Sequence, residues 1–89
     1  MEIIKVKNDK GIEKEYEIIF EFDSKNDNKH YIVYTDFQKD KNNIIECFSS
    51  IYENNKLYPI TTEEELDYIN SMIESITEQG QNKYKLKEK

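Results

Sequence analysis

One stretch of the chain, residues 61–79 (TTEEELDYINSMIESITEQ), predicts an amphipathic helix. Its apolar side chains recur at steps of three and four, which places them on one face of a helix: Leu66, Ile69, Met72, Ile73 and Ile76. A helix of this length is marginal in water on its own. The rest of the chain must therefore supply an apolar layer on which the helix can bury that face.

The two ends of this helix carry their own signals. Thr62 followed by Glu65 fits a capping box, and Thr61 followed by Glu64 fits equally well. Gly80 is a stop signal just beyond the last turn. The sequence therefore defines the start of the helix to within one residue.

The residues before the helix predict short strands separated by polar turns. The strongest signal lies in residues 12–23 (IEKEYEIIFEFD), where Tyr16, Ile18, Phe20 and Phe22 alternate with mostly acidic residues. A period of two predicts one apolar face and one solvated face. The other strand candidates are rich in β-branched and aromatic residues, and they are residues 2–7, 30–37, 43–53 and 56–60.

Residues between and within these strands refine the picture. Gly11 and the pair Asn54-Asn55 suit turns that need a positive φ. Pro59 cannot donate to a ladder, so we place it at an edge or at a strand end. Residues 30–37 carry large side chains on both faces, which is typical of a central strand.

Together these elements predict an α+β domain: a four- or five-stranded antiparallel meander with one C-terminal helix packed on one face. We expect the helix to cover the side of the sheet that carries Tyr16, Ile18, Phe20 and Phe22. The opposite side of that strand is then acidic.

The chain divides into a domain and a tail. Residues 1–79 are predicted to form the single α+β domain, and residues 80–89 (GQNKYKLKEK) a flexible, Lys-rich tail. Tyr84 and Leu86 alternate with lysines in this tail, so a short strand is the alternative there.

Composition narrows the classes of function. The net charge of −6 opposes binding to phosphates, which depends on neutralising contacts. The only cysteine, Cys47, excludes an internal disulfide, and its apolar neighbours predict a buried free thiol. No apolar run approaches the ~18–20 residues that span a bilayer, and no signal-peptide core is present. We therefore expect a soluble, cytoplasmic protein.

The order of the motifs resembles a known family. A Glu-rich strand (EKEYEIIFEF) is followed by a Tyr/Val strand (HYIVYTD), a strand with its turn (SSIYENNKLYPI) and an acidic helix start (TTEEELDYINSMI). This order is similar to the YrzB-like family of small bacterial proteins, which carry domain of unknown function 1292. The resemblance covers residues 8–78. It implies a small acidic cytoplasmic protein of low-G+C Gram-positive bacteria, with no established activity, cofactor or catalytic residue to carry over.

No pattern in the sequence supports catalysis, a cofactor or a metal site. His30 and Cys47 are the only imidazole and thiol, whereas a structural zinc site usually has four such ligands. Residues 23–28 (DSKNDN) do not follow the calcium-loop pattern, and two glycines are too few for a phosphate-binding loop. We expect that the protein is not an enzyme.

The charge layout predicts two candidate surfaces. The first is an acidic strand face that would attract a basic protein partner: Glu13, Glu15, Glu17 and Glu21. The second is a cationic tail that would give weak contact with nucleic acid: Lys83, Lys85, Lys87 and Lys89. We favour a protein-interaction or regulatory module with an unknown protein partner, and we keep weak nucleic-acid association as the alternative. Free strand edges at residues 2–7 and 56–60 predict a monomer or a weak homodimer by strand pairing.

Overall fold

The computed structural model describes residues 2–7, 9–24, 28–80 and 83–87. Within these ranges the first five strands form an antiparallel meander, and a sixth strand pairs in parallel with the fourth. The elements are β1 (Ile3–Lys7), β2 (Glu13–Asp23), β3 (His30–Lys39), β4 (Ile45–Glu53), β5 (Lys56–Tyr58), α1 (Glu63–Gln79) and β6 (Tyr84–Leu86). The predicted α+β meander with one C-terminal helix is confirmed, and β3 is the predicted central strand.

The start of α1 is settled by its cap. The Thr62 hydroxyl accepts the Glu65 N–H at 3.2 Å and donates to Glu65 Oε1 at 2.6 Å, so Thr62 and not Thr61 is the N-cap. At the other end, the Gly80 N–H donates to the Ile76 carbonyl at 2.9 Å. The predicted stop signal at Gly80 is confirmed, and of the predicted capping box the half formed by the Thr62 side chain and the Glu65 N–H is confirmed.

The predicted turn residues hold the conformations that their types allow. Asn54 and Asn55 have φ values of 51° and 64°, and Gly11 has a φ of 78°. Two consecutive positive φ values match the twist of a two-residue hairpin loop. Pro59 follows the last residue of β5, outside the ladder.

The sheet has two faces, which we name by what covers them. The helix face, which α1 covers, carries Tyr31 and Val33 of β3; the open face is the other side and carries Ile32 and Tyr34. The core on the helix face also includes Cys47, which has no exposed surface. Burial raises the pKa of its thiol to about 12. The predicted buried free thiol is confirmed.

One prediction about β2 is wrong, because its alternation is interrupted. Ile18 pairs with Tyr34, but the next paired residue, Phe20, faces Val33. Tyr34 and Val33 are neighbours in β3 and point to opposite faces. Ile19 is therefore the extra residue of a β-bulge, and everything before it is shifted to the other face relative to everything after it.

The bulge divides the four residues that we expected under the helix. Phe20 and Phe22 do lie on the helix face, where Phe22 stacks on Tyr31 at 5.2 Å between ring centroids. Tyr16 and Ile18 lie on the open face, and Tyr16 meets Tyr34 there at 5.1 Å. A strict period of two in the sequence conceals such a bulge, because the extra residue is itself apolar.

The tail prediction also needs a correction, at residues 84–86. These residues form β6, in which Tyr84 pairs with Ile45 and Leu86 pairs with Cys47. Leu86 is 7% exposed and belongs to the core on the helix face. The strand alternative therefore describes residues 84–86, because Leu86 fills an apolar site next to β4.

Candidate interaction surface

The C-terminal half of β3 contains a second, larger irregularity. Thr35 pairs with Cys47, and Lys39 pairs with Ile45. Residues 36–38 of β3 are therefore opposite the single residue Glu46 of β4. The Thr35 side chain is 2% exposed. Its hydroxyl donates to the Glu46 carbonyl at 2.8 Å and accepts the Phe37 N–H at 3.0 Å. A single buried hydroxyl thus joins the two strands and fixes the bulged segment.

Asp36 fixes the same segment from the other side of the strand. Its Oδ1 accepts the Gln38 N–H at 3.1 Å, and its Oδ2 accepts a hydrogen bond from Lys14 Nζ at 2.8 Å. Burial alone would raise the pKa of Asp36, but the hydrogen bonds from Lys14 and the Gln38 N–H, with the Lys14 charge, hold it below its usual value. The carboxylate is therefore charged and tied to β2.

Phe37 follows these two anchored residues directly and has an unusual backbone conformation. Its φ is 67°, in the left-handed region, and its residue surface is 56% exposed. The other non-glycine residues with a positive φ in the described ranges are all asparagines, which tolerate it: Asn28, Asn43, Asn54 and Asn55. For a bulky aromatic residue this conformation costs on the order of 1–3 kcal/mol. The fold thus holds a strained backbone at an aromatic residue that is more than half exposed.

The four glutamates of the predicted acidic face do not share one face. Glu13, Glu15 and Glu17 precede the bulge in β2 and lie on the helix face, whereas Glu21 follows it and pairs with Ile32 on the open face. Glu13 and Glu15 each lie 3.9 Å from Lys5 Nζ. Their negative charge is therefore partly neutralised by β1.

The lysines of the predicted cationic surface are placed by β6. Lys85 is opposite Glu46, and the Lys87 ammonium lies 3.5 Å from the Glu46 carboxylate and 6.0 Å above the Phe48 ring. Lys83 is exposed just before β6, and Lys89 lies outside the described residues. The structure therefore joins these lysines to the sheet edge rather than leaving all of them in a tail.

The open face carries an aromatic cluster that the sequence reading did not identify. Tyr16, Tyr34 and Phe48 come from three adjacent strands, and the Tyr16 and Phe48 rings lie 5.9 Å apart across β3. The Tyr34 hydroxyl and the Ser50 hydroxyl are hydrogen-bonded at 2.9 Å. Lys14 Nζ lies 5.5 Å from the centroid of the Tyr16 ring. The cluster is an apolar surface with a cation at its margin.

His30, the first residue of β3, lies at the other end of the open face. Its Nδ1 is 2.7 Å from Asp23 Oδ1, and its Nε2 is 3.7 Å from Glu21 Oε2. Across the described ranges, no group of three or more His, Cys, Asp or Glu residues is placed to hold a metal ion. Nor is any helix in those ranges both long enough and apolar enough to cross a membrane.

The residue pattern did contain a signal for the bulge at Phe37. Thr and Asp side chains often bond a backbone N–H two residues ahead and so compete with regular strand pairing. Thr35 and Asp36 stand side by side and both do so, to Phe37 and Gln38. The Thr35-Asp36 dipeptide in a largely apolar strand is therefore the sequence signal that indicates a bulge at this point.

Comparison with known proteins adds the following findings. The family model described as "Protein of unknown function (DUF1292)" matches residues 9–78. The chain is similar to a UPF0473 protein of Listeria monocytogenes serotype 4a, with 36% identity over 77 residues that cover 80% of this chain and 77% of that protein. It is also similar to a UPF0473 protein of Bacillus pumilus, with 32% identity over 82 residues that cover 85% of this chain and 86% of that protein. No solved structure matches.

Proposed function

The chain belongs to the DUF1292 family, a bacterial family of unknown function, and we propose that it is a non-enzymatic protein-interaction module whose anchor is Phe37. The family expected from the sequence is confirmed. A regulatory role and a cytoplasmic location remain predictions.

The observation that carries this proposal is the strained, exposed Phe37. Within the described ranges, the other four non-glycine residues with a positive φ are asparagines, which have little strain there, and this position holds a phenyl ring instead. The residue is 56% exposed, so more than half of its surface is open to a partner. Burying a Phe side chain in an apolar pocket stabilises by about 1.5–3 kcal/mol, which is comparable to the strain. A partner with such a pocket would offset the backbone strain at Phe37 by burying its side chain.

The supporting contacts fix the backbone that carries the ring. Thr35 and Asp36 accept the N–H groups of Phe37 and Gln38. A side chain on a fixed backbone loses less conformational entropy on binding than one on a mobile loop. Aromatic residues are also enriched in the centres of protein interfaces. The bulge therefore acts as a rigid mount for an aromatic anchor.

The predicted basic partner is a secondary feature of this proposal. Glu15 and Glu17 lie on β2, the strand next to Phe37, and complementary charge raises association rates more than it raises affinity. Because Lys5 already lies beside Glu13 and Glu15, we assign most of the binding energy to Phe37 and a steering role to the glutamates.

The test is a substitution that removes the ring and keeps the backbone. Phe37→Asn places at this φ the residue type that holds the other non-glycine positions of positive φ in the part of the chain that the structure describes. We expect an unchanged or higher melting temperature and loss of the partner recovered from a nuclease-treated host lysate at low salt. With that partner purified, the Kd should rise at least tenfold. Tyr58→Asn is the matched control, since Tyr58 is a 42% exposed aromatic residue in β5, and it should keep the partner.

Two results would count against the proposal. If the Phe37→Asn variant keeps full binding, Phe37 is not the anchor. If the variant lowers the melting temperature as much as a core substitution does, the ring stabilises the fold and is not held in reserve for a partner. Replacing Glu15 and Glu17 with Gln tests the basic partner separately. If it leaves the association rate unchanged, that part of the proposal is wrong.

The alternative, weak nucleic-acid binding, predicts a different pattern in the same experiment. The recovered proteins would disappear after nuclease treatment, and Lys83→Gln with Lys85→Gln would reduce recovery in a salt-dependent manner. Phe37→Asn would then have no effect.

A further inference from the structure

The open face of the sheet is not covered by the helix. Within the described ranges, α1 lies on the helix face and no strand lies over the open one. Apolar side chains span the open face from β1 to β5, half-buried by their neighbours: Ile4, Val6, Tyr16, Ile18, Phe48 and Leu57. Contiguous apolar surface of this kind is typical of a protein contact.

The charges around this face have opposite signs at its two ends. Lys14, Lys85 and Lys87 lie at the end where β2 begins, with Asp36 and Glu46 among them, so that cations exceed anions by one. At the end where β2 finishes, Glu21 and Asp23 flank His30. The apolar cluster lies between a positive end and a negative end.

Such a polarised face is complementary to itself in one orientation. A two-fold axis that lies between two facing sheets and runs across the strands places each β2 over the other with its direction reversed. Lys14 of each protomer then lies opposite Glu21 and Asp23 of the other. A two-fold axis parallel to the strands would instead put like charges together. A symmetric interface requires this kind of self-complementarity.

We propose that the open face packs against the same face of a second copy of this chain, with the two β2 strands crossing in opposite directions. The pairing makes an aligned sandwich of two sheets about 10 Å apart, with the aromatic clusters between them. It uses neither Phe37 nor the β1 edge, so it stands independently of the proposed function.

The size of the face limits the strength of the dimer. Five strand positions about 4.8 Å apart and about six residues of about 3.4 Å each cover roughly 500 Å² per protomer. Stable interfaces bury about 800 Å² per partner. The dimer is therefore reversible, and its population should change over a range of about 5–500 μM.

The experiment is sedimentation equilibrium of the purified full chain across that range, with two charge-reversed variants. Lys14→Glu places a negative charge at the positive end, and Glu21→Lys with Asp23→Lys places positive charges at the negative end. Each variant alone should have a dissociation constant at least tenfold higher than the wild-type chain. A one-to-one mixture of the two should dimerise again, because every opposed pair in the mixed dimer is attractive.

The controls separate this dimer from other arrangements. Lys7→Glu changes an exposed charge of β1 on the helix face and should not affect a face-to-face dimer, whereas a dimer formed by β1 edge pairing would respond to it. Because Lys14→Glu sets a carboxylate beside Asp36, its melting curve is recorded, and Lys14→Gln serves as the milder variant with a smaller rise in the dissociation constant.

Three outcomes would overturn the proposal. The first is a wild-type chain that is monomeric throughout the range. The second is a dimer whose dissociation constant is unchanged by both charge reversals. The third is a one-to-one mixture of the two variants that stays monomeric although both variants fold. A monomer whose open-face variants lose a different protein partner would assign this face to that partner instead.

Discussion

The two faces of the sheet bury the same central strand in different ways. On the helix face, Val33 of β3 has no exposed surface because Ile69 and Ile73 of α1 pack over it. On the open face, Ile32 also has no exposed surface, although no helix covers it. On that face the strands supply an aromatic cluster of their own, in which Tyr34 contacts Tyr16 and Phe48. A small chain can thus build a second apolar layer from its strands alone.

The bulge at Ile19 makes this arrangement possible. Because of the bulge, Tyr16 and Ile18 in the first half of β2 lie on the open face, and Phe20 and Phe22 in the second half lie on the helix face. Without the shift, all four large side chains would crowd one face and the other would lack its ring cluster. One extra residue therefore divides a single aromatic strand between two layers.

The largest expected effects come from deleting buried side chains on each face. Ile69→Ala should lower the free energy of unfolding by about 2–5 kcal/mol, because the side chain is 1% exposed and leaves a cavity. Ile32→Ala should cost about the same if the open face is a true second core. Urea unfolding of both variants measures the two values. A cost below about 1 kcal/mol for Ile32→Ala would show that the open face is surface and would break the comparison.

The sequence predicted the helix face better than the open face, for a physical reason. The stripe of α1, its cap at Thr62 and the turn at Asn54-Asn55 follow from local rules of spacing and backbone conformation, and each is confirmed. The bulge at Ile19 depends on pairing with β3, which no local pattern records. The bulge at Phe37 had one local signal, the adjacent Thr35 and Asp36 side chains, but its position also depends on pairing with β4. The candidate surfaces at Phe37 and on the open face both depend on those bulges. The acidic face was predicted from alternation alone. That prediction failed because the bulge at Ile19 puts Glu21 on the opposite face from Glu13, Glu15 and Glu17.

The next effect concerns Glu65, which joins α1 to the helix face. Its carboxylate accepts hydrogen bonds from the Thr62 hydroxyl and from the Tyr31 hydroxyl, and Lys29 Nζ lies 3.5 Å away. Hydrogen bonds from Thr62 and Tyr31, with the nearby Lys29, lower the pKa of Glu65. Glu65→Gln should cost about 1–2 kcal/mol at pH 7, because charged hydrogen bonds are replaced by neutral ones.

The pH dependence of stability should show the same group. A lowered pKa in the folded state stabilises the fold fully above the ordinary value of 4.5 and loses that contribution as the pH falls through the folded value. Chemical unfolding at pH 7 and at pH 3 should therefore differ less for Glu65→Gln than for the wild-type chain. Asp36, whose pKa is also lowered, leaves part of the acid dependence in place in both proteins. Identical pH dependence in the two proteins would contradict the role given to Glu65.

The smallest expected effect is on the open face, where the polar contact is neutral. The Tyr34 and Ser50 hydroxyls are both largely buried and bond to each other, and burial raises the pKa of Tyr34, which keeps its hydroxyl protonated. Tyr34→Phe and Ser50→Ala should each cost about 0.5–1.5 kcal/mol. The double variant should cost less than the sum, because the second change removes a group already left without its partner. Strict additivity would mean that the two hydroxyls do not interact. In contrast to Glu65, this pair should behave alike at pH 4 and pH 7, so the two faces would differ in their response to acid as well as in what covers them.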